Sequence, residues 1–315
     1  MSVTAIAHPN IALIKYWGKQ AGPGNVPATP SVSITLDHLA STTRVDASPD
    51  DADHIVLNGK TTIDPKIAAC LSMLRAEFEI APIRIESDNN FPTAAGLASS
   101  ASGFAALITA IDGFSGLGLT DDQRAVCSRK ASGSAARSIY GGFASLGPPD
   151  WVARPVLSAD AWPLKVVIAI TDENRKSVSS SLGMKTSEDT SPYYEPWVAS
   201  TARDYQAALT AIDARDFERL ADLSESSCLK MHGVMQSSLP PMIYWRPATL
   251  SCIHAVREMR SRGIPVFFTI DAGPQVKAVC LPESLDTVAE ELAAIPGVLA
   301  THTVGLGEGA RLLDP

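Results

Sequence analysis

Pro92-Thr93-Ala94-Ala95-Gly96-Leu97-Ala98-Ser99-Ser100 is the stretch on which the fold turns. Its residues are small, so the backbone can approach a ligand closely and several N–H groups can converge on phosphate oxygens. The apolar run over residues 99–114 predicts a helix, and the positive end of that helix would face the same oxygens. Ser99 and Ser100 add hydroxyls that suit phosphate or magnesium. A packed turn ahead of a core helix would use the same residues, so the stretch alone leaves both readings open. It is neither a Walker loop nor a dinucleotide fingerprint.

Upstream, the chain reads as short strands. Residues 3–14 are apolar and β-prone but broken by His8-Pro9-Asn10, and residues 31–36 alternate with period two, predicting a strand with one buried face. Residues 42–45 and 54–57 predict further strands, with Asn58-Gly59 as a hairpin turn. Residues 18–30 are rich in glycine and proline and read as a loop. Ile67, Leu71 and Leu74 mark a helix over 64–76, and Ile83 and Ile85 a strand over 82–87. Downstream, residues 121–130 predict a helix and residues 132–142 form a second small-residue stretch. Residues 164–170 predict a buried strand, 174–185 a mobile polar loop, 192–229 mostly helix, and 250–262 a helix ended by Gly263. Strands over 266–270 and 276–281 flank Asp271-Ala272-Gly273-Pro274, and 285–294 predicts a last helix. Hairpin-type strands mixed with helices predict an α+β fold rather than a doubly wound α/β one.

At roughly 150 residues per domain, 315 residues suggest about two domains. The proline-rich change of composition between Pro148-Pro149 and Pro163 places the boundary near 160, dividing the chain into 1–160 and 161–315. Lys plus Arg number 26 against 34 Asp plus Glu, a formal charge of −8 that argues against a nucleic-acid partner. An anionic substrate remains possible if its site is a local basic island. The five cysteines (Cys70, Cys127, Cys228, Cys252, Cys280) are odd in number and none are paired as C-x-x-C, so a disulfide framework and a structural zinc site are not expected. The six histidines form no metal-binding spacing. Residues 1–8 lack the pattern of a signal peptide, and no apolar run approaches the ~18 residues of a membrane span. A reduced, cytoplasmic protein with no membrane partner is expected.

Residues 8–19 end in a Lys15/Tyr16/Trp17/Lys19 cluster that offers two charges and a hydroxyl to an anion, or a plain surface lysine pair at a strand end. Arg129-Lys130 reads either as a solvated helix end or as positive potential near Ser132. Trp17 is expected to pack under a site, and His8 to be structural.

The pattern Pro-x-x-x-Gly-Leu-x-Ser-Ser at 92–100 resembles the phosphate loop of the GHMP kinases, which include galactokinase, homoserine kinase, mevalonate kinase and phosphomevalonate kinase. Residues 8–19 resemble the N-terminal signature of the diphosphomevalonate decarboxylases, an atypical branch of that superfamily. The likeness continues through Asn25-Val26-Pro27, Asn89-Asn90-Phe91-Pro92 to Ala106, and Ser132-Gly133-Ser134-Ala135-Ala136-Arg137-Ser138 with Gly141-Gly142. Val178-Ser179-Ser180 with Gly183-Met184, and Asp271-Ala272-Gly273-Pro274, complete it in family order. Thr29-Pro30 stands where the family has Asn-Ser, and Gln275 where asparagine is common.

The resemblance implies a two-lobed fold, with a ribosomal S5 domain 2-like N-terminal lobe and a ferredoxin-like C-terminal lobe. It implies ATP and Mg2+, a small phosphorylated substrate and a homodimer. The implied reaction phosphorylates the tertiary 3-hydroxyl of mevalonate 5-diphosphate, after which phosphate and CO2 leave and isopentenyl diphosphate forms. Asp271 would orient or deprotonate the hydroxyl, Lys15 would stabilise the transferring phosphate or hold Asp271 ionised, and Arg137 would grip the substrate carboxylate. Tyr16, Lys19, Ser132, Gly133 and Ser134 would cradle the 5-diphosphate. Ser179 and Ser180, beside Lys176, would close over the polyphosphate. Pro92, Ala94, Ala95, Gly96, Leu97, Ala98, Ser99 and Ser100 would hold ATP. Without the resemblance, Asp271 reads equally as a turn aspartate, Arg137 as a surface helix arginine and residues 178–180 as a solvated linker. The same residues also allow the 5-monophosphate as substrate, a 3-kinase that does not decarboxylate, or a non-catalytic metabolite binder.

Overall fold

The computed structural model describes residues 2–91, 99–174 and 178–313. His8-Pro9 ends the first strand, and residues 3–14 become two strands in different sheets, β1 (Ser2–Ala7) and β2 (Asn10–Ile14). β3 (Ser31–Thr35) follows. It is buried on both faces rather than one, because it lies between neighbouring strands and is covered from both sides. β4 (Ser41–Ala47), β5 (His54–Leu57) and β6 (Lys60–Thr61) lead to α1 (Pro65–Arg75), β7 (Ile83–Asn89) and α2 (Ser99–Ser115). Asp64 caps α1 through its carboxylate, accepting from Lys66 N at 2.8 Å and Ile67 N at 3.0 Å. A cap of this kind is worth about 1 kcal/mol. α3 (Asp121–Ala131) opens with a Thr120/Gln123 capping box. A 3-10 turn, Ala135–Ile139, occupies the second small-residue stretch, and β8 (Phe143–Leu146) and β9 (Ala153–Leu157) close the first half.

The second half runs β10 (Lys165–Ile170), α4 (Ser180–Thr190), α5 (Tyr194–Ala214), α6 (Phe217–Gln236), α7 (Pro247–Ser261), β11 (Val266–Thr269), β12 (Val276–Cys280), α8 (Leu285–Ala293), β13 (Ala300–Gly305) and β14 (Arg311–Leu313). The loop expected over 174–185 is instead the start of α4 from Ser180 onward, since Ser179 accepts from Leu182 N and caps a helix there. The helical region over 192–229 is two helices, broken where Arg215 takes a left-handed φ of 54° and Asp216 caps the second.

Among the described residues three sheets result, ordered β14-β1-β4-β7-β5-β6, β2-β3-β8-β9 and β11-β12-β10-β13. The third has the β-α-β-β-α-β connectivity and antiparallel order of a ferredoxin-like sheet, with α7 and α8 against it. β14 returns to pair with β1, Ala5 opposite Leu312. α2 is buried on most of its surface because it lies against β1, β4, α3 and the 3-10 turn at once. One apolar cluster joins the second sheet (Ile11, Val32, Phe143) to the third (Ile168, Phe267, Val279) and to α5 and α6 (Tyr205, Leu220). The candidate site lies where the end of β2 meets the loop after β11.

Candidate active site

β2 delivers Lys15, and the loop between β11 and β12 delivers Asp271. Two tethers bring them together: Thr269 Oγ1 donates to Ala12 O at 3.0 Å, and Lys15 N donates to Ser227 Oγ of α6 at 2.9 Å. Lys15 Nζ then lies 2.6 Å from Asp271 Oδ1, while Lys277 Nζ of β12 lies 3.3 Å from Oδ2. Both lysines are 1% exposed and the aspartate side chain 25%. Burial opposes ionisation of Asp271, yet the charges of Lys15 and Lys277 outweigh it and hold the carboxyl well below the usual carboxylate range. Burial pushes the Lys277 ammonium down, with Asp271 resisting. His232, buried on α6, is pushed down to about 3 by burial and by Lys15, so it is neutral.

Arg137, 2% exposed, is not a surface arginine. Its Nε donates to Ser33 Oγ at 3.0 Å, Nη1 to Ser31 Oγ at 2.7 Å and Nη2 to Asn10 Oδ1 at 3.1 Å. A guanidinium carries five N–H groups, so two remain beyond these three bonds. Burial lowers its pKa to about 10 against the pull of Asp271, leaving it charged. Asn10 also donates to Ser134 O at 2.9 Å and Ser138 Oγ at 2.8 Å, tying β2 to the small-residue stretch.

That stretch faces Tyr16. A Cβ on Gly133 would lie 2.5 Å from the Tyr16 hydroxyl, so only glycine admits the ring. The hydroxyl is buried with no hydrogen-bond partner among the described residues, and burial raises its pKa despite Arg137. A buried donor left this way is costly unless a ligand completes it. Ser132 and Ser134 hydroxyls sit 3.5 Å apart beside it. Lys19 Nζ donates to Asn25 Oδ1 at 2.7 Å and to Ser181 Oγ at 3.4 Å, reaching the first turn of α4. Burial lowers the Lys19 pKa, with Lys66 adding to the effect. Ser179 is the N-cap of α4, and Ser180 opens that helix. Pro92, Ala94, Ala95, Gly96, Leu97 and Ala98, together with Lys176, lie outside the described residues. Ser99 and Ser100 form the first turn of α2, and no described hydrogen bond links them to Lys15, Arg137 or Asp271.

The two family departures are structural. Thr29 is fully buried and exchanges bonds with Trp17 N and Lys15 O, both at 3.4 Å. Gln275 accepts from Thr171 N at 2.7 Å and donates to Asp172 O, and Thr171 and Thr249 bind Pro274 O, so the loop carrying Asp271 is pinned from below. Trp17 packs under the site and donates to Ser187 Oγ at 2.9 Å, and His8 bonds Leu39 O, both as expected. Arg129 is buried and donates to Gly24 O at 2.7 Å, and Lys130 pairs with Glu77, so neither is a solvated helix end. Lys277, Asn10 and Ser31 were not singled out from sequence. The signal for Lys277 was present: a lone charge within the apolar run Val276-Lys277-Ala278-Val279.

The helix-covered sheets and the buried cations around Asp271 define a protein of the GHMP kinase fold. A family model described as the diphosphomevalonate decarboxylase-like N-terminal domain matches residues 7–148, and one for the mevalonate 5-diphosphate decarboxylase C-terminal domain matches 166–303. The chain belongs to the diphosphomevalonate decarboxylase family. The Homo sapiens diphosphomevalonate decarboxylase is 34% identical, the match covering 93% of this chain and 80% of its own. The structure of MDDEF in complex with MVAPP, AMPPCP and magnesium is 36% identical with a TM-score of 0.91, covering 100% and 99% of the two chains. Mevalonate diphosphate decarboxylase from Staphylococcus aureus is 34% identical with a TM-score of 0.91, covering 99% and 98%.

Proposed function

We propose that this chain catalyses the ATP-dependent decarboxylation of mevalonate 5-diphosphate to isopentenyl diphosphate, releasing ADP, phosphate and CO2. The observation that carries the reading is Asp271 held between two buried lysines in a family whose members decarboxylate that substrate. A carboxylate so strongly ionised is a weak base. Its role is to accept the hydrogen bond of the 3-hydroxyl and aim its oxygen at the phosphorus, with Lys15 stabilising charge on the transferring group. Arg137, with two N–H groups to spare, holds the substrate carboxylate until it departs. Tyr16, Lys19, Ser132, Gly133 and Ser134 bind the 5-diphosphate, which completes the orphaned Tyr16 hydroxyl.

ATP and magnesium fit the residues present. Residues 92–100 lead into the N-terminus of α2, and Ser99 and Ser100 supply hydroxyls there. Magnesium keeps mostly phosphate and water oxygens, so it requires few protein carboxylates, and it neutralises the triphosphate. Ser179 and Ser180, at the head of α4 near Lys19, close over the polyphosphate. The lobes divide near residue 160, with residues 311–313 returning to the first sheet. Its five free, buried cysteines suit a reducing compartment such as the cytoplasm, and a homodimer is what the family resemblance implies. No helix among the described residues is long and apolar enough to cross a membrane.

Purified protein with ATP, magnesium and mevalonate 5-diphosphate should release ADP, phosphate and CO2 in equal amounts. ADP without CO2 would make it a 3-kinase. A higher kcat/KM for the 5-monophosphate would reassign the substrate.

A further inference from the structure

A buried lysine in the middle of a β-strand needs a reason. β12 is second in its sheet, with Lys277 opposite Thr269 on β11 and Ile168 on β10. Alternation along the strand places Lys277 on the face of Val279, which belongs to the apolar cluster between the sheets. A charge there costs several kcal/mol unless it is paired, and apolar residues of similar volume would pack more stably. Asp271 Oδ1 already has a partner in Lys15 at 2.6 Å, so a second lysine is not required to neutralise the carboxylate. What Lys277 adds is a contact to the other oxygen, from the other side of the site.

We propose that Lys277 is a positioning residue for the reaction: it fixes Oδ2 of Asp271 while Lys15 fixes Oδ1, so that the carboxylate presents one orientation to the substrate hydroxyl. Two contacts, one on each oxygen, determine the plane of a carboxylate, whereas one leaves it free to turn about the contact. The proposal rests on the decarboxylase reading of the site. The groups facing Asp271 are Lys15 at the end of β2, Lys277 on β12, Arg137 on the 3-10 turn, and Cys228 and neutral His232 on α6. Removing Lys277 leaves burial opposed by fewer positive charges, so the Asp271 carboxyl must titrate at higher pH.

The test is Lys277→Met, with Lys277→Gln as the second variant should the first not fold. Either variant should lower kcat at least about tenfold with KM values within about threefold of wild type, and move the acid limb of kcat to higher pH. Added to Asp271→Asn, Lys277→Met should cost no further activity, because its effect passes through the carboxylate. A kcat within about twofold of wild type, an unmoved acid limb, or equal losses in both backgrounds would overturn the proposal. The carboxyl 13C titration of Asp271 in the ligand-free protein is a separate readout. Its midpoint should rise in both variants, and an unchanged midpoint also overturns the proposal. Wild-type turnover tests the decarboxylase reading independently: if it fails while the midpoint still rises, the reading falls and the hold of Lys277 on Asp271 stands.

Discussion

At the scale of single residues, the proposed chemistry falls on side chains whose partners lie far away in the chain. Asp271 meets Lys15 across 256 positions, and Arg137 meets Ser31 across 106. Asp271→Asn should lower kcat by at least roughly 10²-fold, as expected for loss of a group acting on the transferred proton or its hydrogen bond, with substrate binding largely kept. Steady-state kinetics with both substrates check this. Arg137→Lys should lower kcat/KM at least about tenfold, because an ammonium cannot hold Ser31, Ser33 and Asn10 while presenting a planar fork to a carboxylate. Asp271, Lys15 and Arg137 could be named from sequence because they stand in quoted motifs. Lys277 shows in the sequence only as a charge inside an apolar strand, and nothing in those five residues tells which distant oxygen its ammonium will meet. Arg137 misleads in the opposite sense. Without the family it reads as a surface helix arginine, and only the packing of α2 and β3 around the 3-10 turn buries it.

At the scale of elements, local rules served where the partner is local. The helices over 64–76 and 121–130, the Asn58-Gly59 turn and the alternation over 82–87 all became the expected structure. The start of α4 was missed because the chain before it is polar and basic, and the helix is held by a distant contact, Gly183 packing against Trp17 and Met242. The one buried face expected of β3 became two because a second layer covers it. Asp53, just before β5, joins two elements: Arg75 of α1 binds it through Nη1 at 2.6 Å and Nη2 at 2.8 Å, and Ile83 N of β7 donates at 3.0 Å. The Arg75 hydrogen bonds hold its pKa below the usual value, against the effect of burial. A depressed folded-state pKa contributes stability that is present above the unfolded value of about 3.9 and lost as pH falls through the folded one. Asp53→Asn should therefore cost about 1–3 kcal/mol at pH 7, and the deficit should shrink below about pH 4. Denaturant melts of the two proteins at several pH values measure it.

At the scale of the whole molecule, a chain with formal charge −8 gathers three buried cations at one place. Lys15, Lys277 and Arg137 are buried around a single carboxylate, so the excess at the site is positive although the total is negative. Exposed charges more than a Debye length of about 10 Å apart are screened at 0.1 M salt, whereas buried ones are screened far less. Raising NaCl from about 0.05 to about 0.2 M should thus raise KM for the phosphorylated substrate by less than about threefold, as substrate-saturation curves at each salt can measure. A steeper dependence would mean that surface lysines carry the binding.

By itself the sequence determined the α+β class, the helix that follows the small-residue stretch at 92–100, the family, and the acid, lysine and arginine proposed for the site. These follow from local pattern: periodicity, small-residue loops and short motifs are properties of neighbours along the chain. Only the tertiary structure decided that β14 closes the first sheet against β1, that Gln275 and Thr29 brace the site from beneath, and that Lys277 reaches Asp271 from its far side. Each of these is a contact between residues that the chain separates and packing reunites, and burial then gives the charges among them their strength.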